Sequence, residues 1–147
     1  MNKDFRQSTI VQAYWLPAIW VAIELNAKNA VKAMESLKET ETYELGQCEP
    51  FQVGMMYPVY LRGQAYLLAR KGNEAAAEFQ RIIDQRGIVL NFPLGALAHL
   101  GVGRAYTNAG DSAKAKAAYQ NFFNIWKDAD PDILILQQAK AEYAKLQ

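Results

Sequence analysis

The chain has one cysteine, one histidine and almost no excess of charge, and each scarcity removes a class of function. Cys48 can close no internal disulfide and supplies no thiolate cluster. With His99 as the only histidine, a multi-histidine metal centre cannot be built. A net charge of +1 leaves no electrostatic footprint for nucleic acid or for an acidic membrane surface. Glycine and proline, at 9 and 5 residues, are too few for a collagenous or linker-like chain. Long hydrophobic runs are missing too. The most apolar stretch, IVQAYWLPAIWVAIEL from Ile10 to Leu25, is interrupted by Gln12 and Pro17 and closed by Glu24. A membrane-spanning helix needs roughly 20 mostly apolar residues, so this stretch reads as an amphipathic helix buried in a fold. Asp4 in the leader and the lack of a small-residue cleavage site argue against a signal peptide. A soluble chain without membrane insertion is expected, with the reducing cytoplasm favoured as its compartment.

What is present is apolar material, 51% of 147 residues, enough to bury the core of one domain or of a short repeat array. Two stretches carry its organisation, RGQAYLLARKGNEAAAEF from Arg62 and VGRAYTNAGDSAKAKAAYQNF from Val102. Superimposed, Gly63, Ala65 and Tyr66 match Gly103, Ala105 and Tyr106, while Ala75, Phe79 and Ile82 match Ala115, Tyr119 and Phe122. The offset is 40 residues at every pair, the signature of a stacked repeat. Within a copy, Gly63 and Tyr66 stand three apart on one helical face, and Ala115, Tyr119 and Phe122 follow the i, i+4, i+7 rule of a buried stripe. Between the elements Gly72 or Gly110 breaks the pattern, and Asn73 or Asp111 is suited to cap the next helix. Each unit is therefore read as helix, tight turn, antiparallel helix. Its Gly and Ala are small because the helices approach closely, and its aromatics fill the space beside them.

A weaker copy lies upstream at an offset of 45, pairing Ala18 and Val21 with Gly63 and Tyr66, and Ala30, Met34 and Leu37 with Ala75, Phe79 and Ile82. After the last unit Pro131 follows Asp130 near a helix start, and Ile133, Leu136, Ala139 or Lys140, and Tyr143 form a stripe able to cover a terminal apolar face. The spacing predicts one all-α domain with units at 8–40, 56–87 and 96–127 and a capping helix at 132–146. Seven helices are expected, at 8–25, 28–40, 57–70, 74–86, 94–109, 112–127 and 132–146. Two joints are long or apolar. In the first, Leu45, Phe51, Val53, Met55 and Met56 are expected to pack on the helices; the second is GIVLNFP, from Gly87 to Pro93.

The G-x-A-Y, Ala, aromatic pattern resembles the tetratricopeptide repeat, well over two units and poorly over the first. Val59 and His99 stand where that family places an aromatic, and the units are spaced 45 and 40 apart against about 34 in the family. The wording of YPVYLRGQAYL, AAAEFQRIIDQRGIVLNFPLGALAHLG, AGDSAKAKAAYQNFF and WKDADPDILILQQAKAEYAKLQ is similar to the C-terminal repeat region of acidobacterial eukaryotic-like serine/threonine protein kinases. The resemblance implies a right-handed superhelical array of about three helical hairpins and a docking or sensing role in a signalling protein. It carries no kinase activity, because the phosphate loop, H-R-D and D-F-G motifs are all missing.

Catalysis finds little material. A Cys48–His99 nucleophile pair lacks a nucleophile motif, and His99 is better read as a packing residue. The acidic run Glu35, Glu39, Glu41, Glu44 and Glu49 reads as a solvated face. No catalytic residue, metal or cofactor is expected. Binding finds more. The first helix of each stacked hairpin lines a concave side, and its side chains at helical spacing are Trp15, Ile19, Tyr57, Tyr60, Gln64, Leu67, Leu100, Arg104 and Asn108. Aromatics with an arginine suit anchoring of a protein or peptide. A clamp for an acidic C-terminus is disfavoured, since only Arg104 and Asn108 are available for it. The rival readings are a homo-oligomer joined through Ile133, Leu136 and Tyr143, and a small-molecule sensor with loops around Phe51 and Phe92.

Overall fold

The computed structural model describes residues 6–46 and 56–147. Within them the chain is all-α: eight α-helices, one π turn and one 3-10 helix, with no strand. Helix α1 (Leu16–Asn26) continues from a π turn, Val11–Trp15, and the wide turn sits where Pro17 has no N–H to give to the regular ladder. After α2 (Ala30–Ser36) the chain tightens into the 3-10 helix Lys38–Tyr43, so the second expected helix is split. Then follow α3 (Tyr57–Leu68), α4 (Gly72–Asp84), the one-turn α5 (Arg86–Val89), α6 (Leu94–Ala109), α7 (Ser112–Ile125) and α8 (Leu134–Ala144).

Three turns of one geometry join α1 to α2, α3 to α4 and α6 to α7. Each places a left-handed residue after the first helix: Lys28, Arg70 and Gly110, with φ of 62, 60 and 79°. The next residue sends its N–H back to the helix it leaves, from Asn29 to Glu24 O (2.8 Å), Lys71 to Tyr66 O (2.9 Å) and Asp111 to Tyr106 O (3.0 Å). These are helix-terminating left-handed caps. The spacings between the turns are 42 and 40 residues. Turn geometry therefore pairs Ala33, not Ala30, with Ala75 and Ala115, each of which donates its N–H to the carbonyl of the residue after the left-handed one. The offset of 45 is corrected accordingly. Asn73 is corrected as well: α4 starts at Gly72 with Lys71 as its cap residue, whereas the Asn29 and Asp111 side chains do accept from Lys32 N and Lys114 N.

Gly72 has a different task. A Cβ there would lie 2.6 Å from the carbonyl oxygen of Ala105, so this glycine lets α4 touch the backbone of α6. Within the hairpins, a Cβ on Gly63 would come to 2.7 Å from the Phe79 ring, and one on Gly103 to 2.9 Å from Tyr119. Ala65, Ala75, Ala105 and Ala115 are wholly buried, and Tyr66 and Tyr106 pack from the side.

Successive hairpins touch, α3 against α1 and α2, and α4 against α6. The core accordingly falls into three clusters. Leu37 and Val21 pack under α3, Phe79 and Ile82 lie between the middle and last hairpins, and Leu100, Tyr119 and Phe122 lie under Leu136 and Ala139 of α8. Helix α8 starts later than expected. Ile133, without a side-chain cap, precedes it, and Asp130 contributes only its carbonyl, which accepts from Ile133 N at 3.3 Å.

Part of the acidic run is core. Glu44 is fully buried, its carboxylate held by the Arg62 guanidinium and by Arg81 at 3.0 Å; Arg62 also reaches Glu78 at 3.1 Å and Glu41 at 3.4 Å. The Thr40 hydroxyl donates to Leu37 O at 2.7 Å and lies 3.3 Å from Glu44 Oε1. A solvated face describes Glu35 and Glu39 but not Glu44, which pins the 3-10 segment onto α3 and α4. In the first joint Met56 is buried while Leu45 is 56% exposed, so Leu45 does not pack as expected. Cys48, Glu49, Phe51, Val53 and Met55 lie outside the described residues. In the second joint Val89 is buried and Leu90 is 76% exposed, with φ at 52°. That backbone is strained for a branched side chain, by on the order of 1–3 kcal/mol.

Candidate functional site

Helices α3 and α6 lie side by side, and their shared face carries most of the residues expected in a groove. Tyr57 stacks on Tyr60 at 6.3 Å between ring centres, and Tyr60 in turn meets Phe79 edge to face at 5.5 Å. Burial raises the Tyr60 hydroxyl above its ordinary range, against the opposing pull of the Arg104 charge and a hydrogen bond with Gln64. Tyr60, Gln64 and Arg104 are thus neighbours across the two helices.

Further along this face, Leu67, Arg104, Thr107 and Asn108 border a pocket of about 400 Å³. Tyr119 of α7 and Glu142, Lys145 and Leu146 at the C-terminal end complete it. Asn108 Nδ2 donates to Leu67 O at 3.1 Å, tying α6 to the last turn of α3. Arg104 grips Glu142 with two hydrogen bonds, Nε to Oε2 and Nη2 to Oε1, both 2.8 Å, and the Tyr119 hydroxyl donates to Oε2 at 2.8 Å. Burial alone would raise the Glu142 carboxyl; the bonds and charge of Arg104, with the Tyr119 hydroxyl, outweigh it and hold it below the ordinary carboxylate range. Burial first, then the bond to Glu142, pushes Tyr119 up, so it remains a donor. An incoming carboxylate would have to displace Glu142 from both prongs of the guanidinium. The pocket suits a neutral or apolar group better than an acidic chain end.

The remaining sequence-selected residues lie elsewhere. Leu100 is a correction: it is 1% exposed, covered by α7 and α8, and offers a ligand no surface. Trp15 packs edge to face on Tyr14 at 5.2 Å, and Ile19 is exposed on α1; neither borders the pocket. Leu136, a proposed self-association residue, is 3% exposed and spent on the chain's own core. Sequence reasoning missed Glu142 and Tyr119 as pocket residues, because the partner of Arg104 is 38 positions away on an element outside the repeat. Among the described residues no group of acidic, histidine or cysteine side chains could hold a metal ion, and no helix is long and apolar enough to cross a membrane. These features define an all-α protein of consecutive helical hairpins. No family model, no curated protein and no solved structure matches the chain.

Proposed function

We propose that this chain is a non-catalytic, tetratricopeptide-like binding module, a right-handed superhelical array of three hairpins and a cap that holds a protein or peptide on its α3–α6 face. The observation that carries this reading is the convergence of Leu67, Arg104 and Asn108 on one pocket that α8 closes. Rigid aromatic surface from Tyr57 and Tyr60 leads up to it, the kind of anchor that dominates protein recognition. In a longer signalling protein such as a kinase or transcription regulator, the module would serve docking or sensing. The ligand is expected to be a neutral or apolar segment, not nucleic acid, given a net charge of +1. Selection of a displayed random-peptide library on the purified chain tests this. Peptides should be enriched whose binding is lost on Leu67→Glu, while the variant keeps its helical circular dichroism. Enrichment of none, or of peptides indifferent to Leu67→Glu, would overturn the reading.

A second reading rests on α1, where Ile19, Trp20 and Ile23 are 43, 60 and 52% exposed. Such an apolar face suits a second copy of the chain. Light scattering separates the two: a constant mass near 16.5 kDa over a range of concentrations supports the groove. A dimer dispersed by Trp20→Glu supports self-association.

A further inference from the structure

A second cleft, larger than the first, lies away from the α3–α6 face. It measures about 650 Å³ and opens where α5 and the loop after it stand over α4, α6 and α7. Its walls are aliphatic and aromatic: Ile82 and Ile83 from α4, Val89 and Phe92 from the joint, Ile125 and Trp126 from the end of α7. That volume lies within the range of small-molecule sites, which pair apolar walls with a few convergent polar groups. Three polar side chains border it, Arg86, Asn91 and His99.

Two of these have chemistry left over. Among the described residues no carboxylate pairs with Arg86, in contrast to Arg62, Arg81 and Arg104, each of which is held by a glutamate. His99 is half-buried and has no hydrogen-bond partner among the described residues, yet it stands close enough to Arg86 to feel its charge. Burial, and after it that charge, keeps the imidazole below its ordinary range, so at neutral pH it is an uncharged donor and acceptor. Leu90, with its strained backbone, borders the opening two residues before Phe92. Backbone strain of this kind gathers at ligand clamps.

We infer that this cleft is a binding site for a small amphipathic carboxylate, with its aliphatic chain along Ile83, Ile125 and Trp126 and its carboxylate on the free guanidinium of Arg86. One cation with neutral donors around it matches one negative charge; a phosphate dianion would leave charge unanswered. The planar fork of arginine is the side chain best shaped for a carboxylate. This site is independent of the peptide face, since no residue borders both pockets.

Octanoate is the probe, with octan-1-ol as its uncharged counterpart. The chain has a single histidine, so the imidazole proton resonances of His99 report occupancy of the cleft without further assignment. Octanoate should move them saturably, and octan-1-ol should bind at least tenfold more weakly. Arg86→Ala should weaken octanoate at least tenfold and leave octan-1-ol nearly unchanged; Phe92→Ala should weaken both. Arg86 and Phe92 are both exposed, and circular dichroism of each variant shows that folded proteins are compared. Unmoved His99 resonances, equal affinity for the alcohol, or equal affinity of Arg86→Ala for octanoate would each overturn the proposal.

Discussion

Phe79 is wholly buried, with Gly63 of α3 against one part of its ring and Gly101 of α6 against another. A Cβ at Gly101 would lie 2.6 Å from Phe79 Cγ and Cδ1, near the stem of the side chain, where the ring cannot swing away. Two effects compete on Gly101→Ala. Alanine gains roughly 1 kcal/mol of helix propensity over glycine, whereas overpacking a filled core costs about 1–3 kcal/mol. Overpacking wins here because the neighbour is fixed on both sides. The expected outcome is a net loss of about 1 kcal/mol, lowering Tm by roughly 2–4 °C for a chain of this size. Gly87→Ala is the control: nothing lies within 4 Å of its added methyl, so propensity acts alone and Tm should hold or rise. Equal melting of the two variants would refute the close-packing account of Gly101.

At the level of the element, the joint after α2 is held by charge as well as by the apolar packing of Leu37. Glu44 and Arg62 are 0 and 5% exposed, and removing one partner of a buried pair costs about 3–5 kcal/mol because the other charge stays behind. Arg81 still reaches Glu44, so Arg62→Met should fall at the low end, near about 3 kcal/mol. The double variant Arg62→Met with Glu44→Leu should cost less than the sum of its singles, since neither charge is then left alone. Urea unfolding of all four proteins measures this coupling, and simple additivity would show that the two side chains act independently. The same joint marks where the sequence was hard to read. Small and aromatic residues at a period of 40 are visible because each hairpin needs close helices, and that need is local. Glu44 gives no such signal, since an acidic residue in a polar run looks solvated until a distant arginine is folded over it. At the second turn Gly72 draws attention as the breaker, yet Arg70 takes the left-handed cap and Gly72 serves contact with α6. Local patterns reported the hairpins. Contacts between hairpins, Gly101 and Glu142 included, depend on stacking geometry that no short window contains.

On the scale of the whole molecule, α8 decides both where the core ends and how the pocket on α3–α6 closes. Leu136 and Ala139 seal Leu100, Tyr119 and Phe122, and Glu142 extends the seal with its paired bonds to Arg104. Because Glu142 titrates below its ordinary value of 4.5, the ionised form is the one that favours the folded state. A carboxyl depressed in the folded state adds its stability in full above the unfolded value and loses it as pH falls through the folded one. Both partners are partly exposed, which screens the pair and sets its worth at about 1 kcal/mol. The wild type should therefore melt above Glu142→Gln near neutral pH, with the margin intact down to the ordinary value and closing below it. Melting both proteins from about pH 7 down to about pH 3 spans that window. Their far-ultraviolet spectra should coincide at neutral pH, because the apolar seal of α8 does not depend on the charge. A margin that stays constant across the window would mean that Glu142 holds α8 by shape alone. The pocket would then keep its form in acid, and a peptide bound there would be indifferent to the ion pair that borders it.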